Sequence, residues 1–201
     1  MFTKAQRIFQ KIADRLKAPE FRTAHSQRPE DFSRQRKVGF MEVIAILLNR
    51  LDRTSEVEVQ RFCDRHLPKV DRYTKQAFSQ ARYKLNPEAF TDLNHVLIQH
   101  FYADREYRTV EGWLPVAIDG SILEIPNTDL LRTAYGTASG SAGARISHAY
   151  DVANHLCLSA ILDRMDISER DLARRNIAEV HANVVRLRIR RTFVPDKILF
   201  F

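Results

Sequence analysis

The sequence predicts an α+β protein, with an all-helical N-terminal region over residues 1–108 followed by a β-β-β-α-β array over residues 109–201. Three observations predict it. Apolar residues recur at helical spacing as far as Tyr102. After Arg108 the chain turns to short β-branched runs broken by Gly136, Gly140 and Gly143. The formal charge of +7 also belongs entirely to residues 1–105, and the remainder is neutral, so the two regions differ in electrostatics as well as in periodicity.

The elements follow in order. Ile8, Phe9, Ile12, Ala13 and Leu16 share one face of an amphipathic helix over 5–16. Residues 18–37, polar and basic with Pro19 and Pro29, read as a linker with room for one helical turn. From Val38 to Leu51 nearly every position is apolar, which predicts a helix buried all round. Ser55 and Glu58 form a capping-box pattern for a helix reaching His66, where Pro68 ends it. Thr74 to Leu85 is a helix with Ala77, Phe78, Ala81 and Leu85 inward. Asn86-Pro87-Glu88 starts another, with Phe90, Leu93, Leu97 and Phe101 inward, as far as Tyr102.

Beyond Arg108, Trp113–Ile125 reads as a strand, 136–143 as a Gly/Ser loop, and 146–152 and 155–162 as two further strands. Ser168 to Leu187 is a charged amphipathic helix with Leu172, Ile177, Val180 and Val184 inward, and 197–201 is a last strand. No internal repeat is evident.

Composition narrows the function classes. A chain of 201 residues, 44% hydrophobic and 28% charged, has the make-up of a soluble globular protein with a core. A pI near 9.6 suits a polyanionic partner, although a basic surface also serves solubility. Two cysteines, Cys63 and Cys157, exclude a disulfide framework or a thiolate zinc site, and Cys63 with His66 is half a metal motif that reads as helix core. The longest apolar run, Val43 to Leu48, falls well short of the roughly 20 residues that span a bilayer. With no secretory signal pattern either, the expected setting is cytoplasmic, without a membrane.

The chemistry concentrates at Asp119. It stands inside the apolar run Val116-Ala117-Ile118-Asp119-Gly120-Ser121-Ile122-Leu123-Glu124-Ile125-Pro126. A carboxylate buried in such a strand needs a cation, hydrogen bonds or a metal. It is thus either a ligand or a strand-end acid bonded to backbone amides. Asp151, Asp163 and Asp166 read as structural acids, and the seven histidines show no paired ligand spacing. The 136–143 loop lacks the terminal Gly-Lys-Ser/Thr of a phosphate loop and reads as a hairpin connection.

Several segments together carry a family resemblance: Arg34-Gln35-Arg36-Lys37 with Phe40; Ala77 to Leu85 with Pro87, Ala89 and Phe90; Ala117-Ile118-Asp119-Gly120-Ser121 with Ile125-Pro126; Ser147 with Tyr150-Asp151-Val152 and Asn154; and Glu169-Arg170 with Leu172-Ala173. In this order and spacing they resemble the N-terminal half of an insertion-sequence transposase of the IS-four type, in the DDE superfamily. The resemblance implies an incomplete RNase H-like core at 109–201, with Asp119 as catalytic carboxylate and metal ligand for two Mg2+ ions. In that family an Asp-Arg-Gly-Tyr motif follows the strand that Ile198-Leu199-Phe200-Phe201 resembles, and the catalytic Glu lies further on. Neither is in this chain, so weak or absent metal binding and no strand transfer are expected of it alone.

Opposite its apolar stripe, the helix 74–85 presents Lys75, Gln76, Ser79, Gln80, Arg82, Tyr83 and Lys84. Gln and Arg can read base edges, while Lys and Ser can hold phosphates. With the preceding helix it resembles a helix-turn-helix, so this face is a candidate for double-stranded DNA or a solvated surface. Arg186, Arg188, Arg190 and Arg191 pose the same choice. The resemblance implies the element's terminal inverted repeats as partner, with a homodimer or a full-length transposase as protein partner. The rival function is a non-catalytic DNA-binding fragment that regulates transposition.

Overall fold

The computed structural model describes residues 3–33, 38–51, 53–67, 72–104, 106–185 and 198–200. It is mixed α and β. The chain divides between Val96 and Leu97 into two compact units, 1–96 and 97–201.

The first unit is helical: α1 (Lys4–Lys17), α2 (Pro19–Ala24), α3 (Phe40–Leu48), α4 (Ser55–His66), α5 (Lys75–Arg82) and the start of α6 (Glu88–Tyr102). Thr3 caps α1 in a reciprocal box with Gln6. The expected linker at 18–37 holds a real helix. Pro19 sits in the first turn of α2, and Phe21 is fully buried in the core with Phe40, Val43, Ile44, Val59 and Phe78.

Two details differ from expectation. α3 is buried on one face only: Phe40, Val43, Ile44 and Ile46 are inside, while Met41 and Leu48 are exposed. Second, α4 is capped by Thr54, not Ser55, through a contact from Val57 N–H at 3.5 Å. Glu58 is then free to turn back, and its buried carboxylate accepts the N–H groups of Leu51 and Arg53 at 2.7 and 3.0 Å. Those backbone bonds hold its pKa below the usual carboxylate range.

The segment 25–27 is tied to the end of α5. Gln27 N–H donates to Lys84 C=O and Asn86 N–H to His25 C=O, both at 2.8 Å, around the bridge of Ser26 with Leu85. Below it lies a charged cluster. Asp92 on α6 accepts from Arg15 Nη2 on α1 at 2.5 Å and meets His25 Nε2 at 3.1 Å. Burial opposes ionisation of Asp92, but the bonds from Arg15 and His25 outweigh it and lower its pKa. A depressed folded pKa contributes stability above the unfolded value, about 3.9, and loses it as pH falls through the folded value. The acid limb of the urea midpoint against pH should therefore be shallower in Asp92→Asn than in the parent, and equal limbs would remove the cluster from the account. Arg15 is 40% exposed, so added salt should shrink the difference.

The second unit is a sheet under a helix. In chain order it holds β1 (Leu114–Glu124), α7 (Asp129–Tyr135), β2 (Thr137–Ala138), β3 (Ser141–Asp151), β4 (Leu156–Asp163), α8 (Glu169–Val180), a π-helical turn (His181–Val185) and β5 (Ile198–Phe200). β3 is antiparallel to β1 and to β4, while β5 runs parallel to β1. The spatial order is thus β4-β3-β1-β5, with β2 paired to the start of β3.

The expected Gly/Ser loop is an ordered hairpin. Ser139 and Gly140, at φ 49° and 83°, make its two-residue turn between β2 and β3. α7 was not expected, though Thr128 caps it and Gly136, at φ 100°, ends it. On α6 Leu93 is buried as expected, but Ala89, Ile98 and Tyr102 take the other inner places, while Phe90, Leu97 and Phe101 are only partly buried.

α8 and the π-helical turn after it cover the sheet face bearing Leu114, Val116 and Ala149 with Val180 and Val184. Ile177, expected inward, is half-buried, and Asn176 takes a fully buried place. Its amide bonds Ser147 at 2.7 Å and Ser159 at 2.8 Å, and Ser159 also meets Glu179. Asn176 Nδ2 donates to the Ser147 hydroxyl, and the amide oxygen accepts from the Ser159 hydroxyl.

Arg186, Arg188, Arg190, Arg191 and the segment 34–37 lie outside the described residues. Among the described residues no helix is long and apolar enough to cross a membrane.

Candidate functional site

Asp119 occupies the middle of β1, opposite His148 of β3. It is exposed, which overturns the premise that the strand buries it. Burial along β1 is complete only for Leu114–Val116. Glu169, at the start of α8, lies over Gly120, where a β-carbon would meet its Cγ at 3.4 Å, and Ser121–Glu124 run on exposed. No desolvation cost therefore demands a cation. The carboxylate accepts the Gly120 N–H at 2.9 Å and makes no other hydrogen bond or ion pair among the described residues.

Alternation of side chains puts Asp119 on the sheet face opposite Val116. His148 shares its face, at the directly paired position. Among the described residues no group of three His, Cys, Asp or Glu comes together to hold a metal. Mg2+ is held by one or two carboxylates together with waters and substrate phosphates, and a single carboxylate does not fit a pair of Mg2+ ions.

Asp151 cannot supply the missing carboxylate. It pairs with Val116, so it belongs to the other face, and it is fully buried. Its Oδ1 accepts Ala153 N–H and Asn154 N–H, both at 3.0 Å, and its Oδ2 accepts Asn154 Nδ2 at 2.7 Å and the Tyr102 hydroxyl. Burial, then the Asp151 contact, pushes the Tyr102 pKa well above its ordinary value, so Tyr102 remains a neutral donor. Asp163 and Asp166 are structural too: Arg175 and the Arg164 N–H hold Asp163 below the carboxylate range, and Asp166 pairs with Arg164.

The second candidate is the polar face of α5. Thr74 caps the helix through the Ala77 N–H at 3.1 Å, and Phe78 and Ala81 are buried. Lys75, Gln76, Gln80 and Tyr83 are exposed; Ser79, Arg82 and Lys84 are half-buried. Arg82 lies 5.7 Å from the Tyr83 ring centroid, and Lys84 Nζ is 3.5 Å from Asp31.

Hollows flank both ends of this face. One of about 360 Å³ touches Gln60, Arg72, Lys75 and Gln76, and one of about 900 Å³ touches Gln27, Arg28, Gln80, Tyr83 and Lys84. Residues 67–74 join α4 to α5. That connection is longer than the 3–4 residues of a tight helix-turn-helix, so the expected motif is present only as two packed helices.

Sequence reasoning missed the 27–33 turn beside α5 and His148 beside Asp119. Arg28-Pro29-Glu30-Asp31 carries turn residues that mark the first. Nothing in one sequence signals the strand register that places the second. No family model, curated protein or solved structure matches the chain.

Proposed function

We propose that the chain is a DDE-type transposase segment, in which the first unit binds double-stranded DNA through α5 and the second is an RNase H-like core carrying Asp119 as its first catalytic carboxylate. One observation carries this reading. β5 returns parallel to β1, on the edge away from β3 and β4, after the helix α8. Parallel neighbours require such a crossover, and the array leaves Asp119 exposed on its central strand. Leu114 pairs with Ile198 and Val116 with Phe200.

The neighbouring chemistry is binding without cleavage. It draws on the α5 face, which stands independently of Asp119. Both readings are tested with the genomic DNA flanking the coding region, with and without added Mg2+. Nicking that Asp119→Ala abolishes supports the transposase reading. Salt-dependent binding without nicking supports the non-catalytic one, and absence of both overturns the nucleic-acid assignment.

A further inference from the structure

We infer that the turn Gln27–Ser33 is a second DNA-contacting element, with Arg28 holding a backbone phosphate beside the groove that α5 enters. The inference rests on the DNA-binding reading of α5 and adds an element that reading does not contain.

The turn and the helix form the two walls of the 900 Å³ hollow, with Arg28 on one and Gln80 and Tyr83 on the other. Their separation is fixed. Gln27 N–H bonds Lys84 C=O at 2.8 Å, and Gln27 Nε2 bonds Leu85 C=O at 3.3 Å, so the turn is fastened to the residues that end α5.

The turn is also held in a costly backbone. Phe32 sits at φ 58°, a region a bulky side chain rarely adopts, and its ring is pinned edge-on to Phe40 at 5.4 Å. A rigid turn loses little entropy when it meets a ligand. Asp31 is engaged by Lys84, whereas the exposed Arg28 guanidinium makes no hydrogen bond or ion pair among the described residues.

Charge and size favour duplex DNA as the occupant. The whole +7 surplus lies in residues 1–105. An α-helix with its side chains is about 10–12 Å across, which a major groove about 12 Å wide admits. With α5 in that groove, a cation projecting from the adjoining wall meets the groove's phosphate edge. Phosphate contacts of this kind set register and affinity, while Gln80 and Gln76 meet the bases.

The test is fluorescence anisotropy of a labelled 30-bp duplex (length about three helical turns) with the whole chain, at several salt concentrations. Arg28→Gln should weaken binding about eightfold at 0.1 M salt and reduce the salt slope by about one, the effect of one lost phosphate contact. Arg28→Lys should keep most of both. Glu30→Gln, which removes an exposed acid of the same turn, should tighten binding. If the parent binds with a steep salt slope and Arg28→Gln matches it in affinity and slope, the inference fails while the α5 reading stands. If the parent does not bind duplex DNA at all, both fall. Arg28 is exposed, so unchanged thermal melts will confirm that the variants remain folded.

Discussion

Asp151→Ala should destabilise the second unit by about 3–5 kcal/mol, the usual cost of removing one member of a buried, fully bonded polar cluster. The carboxylate closes the β3–β4 turn by accepting the N–H groups of Ala153 and Asn154. It also orients the Asn154 side chain, whose amide clamps Arg108 from both sides: Oδ1 accepts the Arg108 N–H at 2.7 Å and Nδ2 donates to its C=O at 2.9 Å. Tyr102 closes the cluster from α6. Alanine would leave a buried hydroxyl and two turn amides without an acceptor. Tyr102→Phe removes only one donor and should cost about 1–2 kcal/mol. The single tryptophan, Trp113, is bridged to Val110 just before β1, so its fluorescence in urea reports this unit. A loss below about 1 kcal/mol in Asp151→Ala would mean the turn holds without its acid. Such a result would also reopen the question of why a carboxylate is buried there.

The contrast between Asp151 and Asp119 shows what the sequence made legible and what it did not. Both acids interrupt apolar strands, and composition alone made Asp119 the stranger of the two. Register settles the matter. Asp151 lies on the face under α8 and needs its bonds, while Asp119 lies on the opposite, exposed face. Strand parity across β1 and β3 depends on long-range pairing, which no local pattern encodes.

Helix existence was readable, because the 3.6-residue stripes of α1, α4, α5 and α8 are local. Which residue of a stripe points inward was less so. Asn176 rather than Ile177 is buried because Ser147 and Ser159 on two strands bond its amide. α7 was overlooked although Thr128 and Gly136 mark both its ends, since glycine and serine nearby suggested a loop. At α5 the polar face was visible residue by residue. The hollow beside it was not, because its other wall comes from a segment some fifty residues away.

Phe21→Ala should cost the first unit about 3–5 kcal/mol, the range for emptying an aromatic from a packed core. Its ring is fully buried, 5.8 Å from Phe40 in an edge-on pair and 4.5 Å from His25, with the Arg15 guanidinium 5.2 Å from its centroid. Alanine would remove the ring's contacts and the cation–π attraction, worth about 0.5–1 kcal/mol where Arg15 is part-exposed. It would also loosen the neighbours that hold His25 and Arg15 against Asp92. Phe21→Leu fills more of the space and should cost clearly less. Far-UV ellipticity in urea is the measurement, since this unit is helical. The outcome decides the status of residues 18–37. A polar, proline-bearing stretch of this kind reads as a tether, and a tether would tolerate alanine with a loss below about 0.5 kcal/mol. A core element would not, and the Gln27–Ser33 turn, which follows α2 directly, owes its fixed place beside α5 to the anchoring that Phe21 begins.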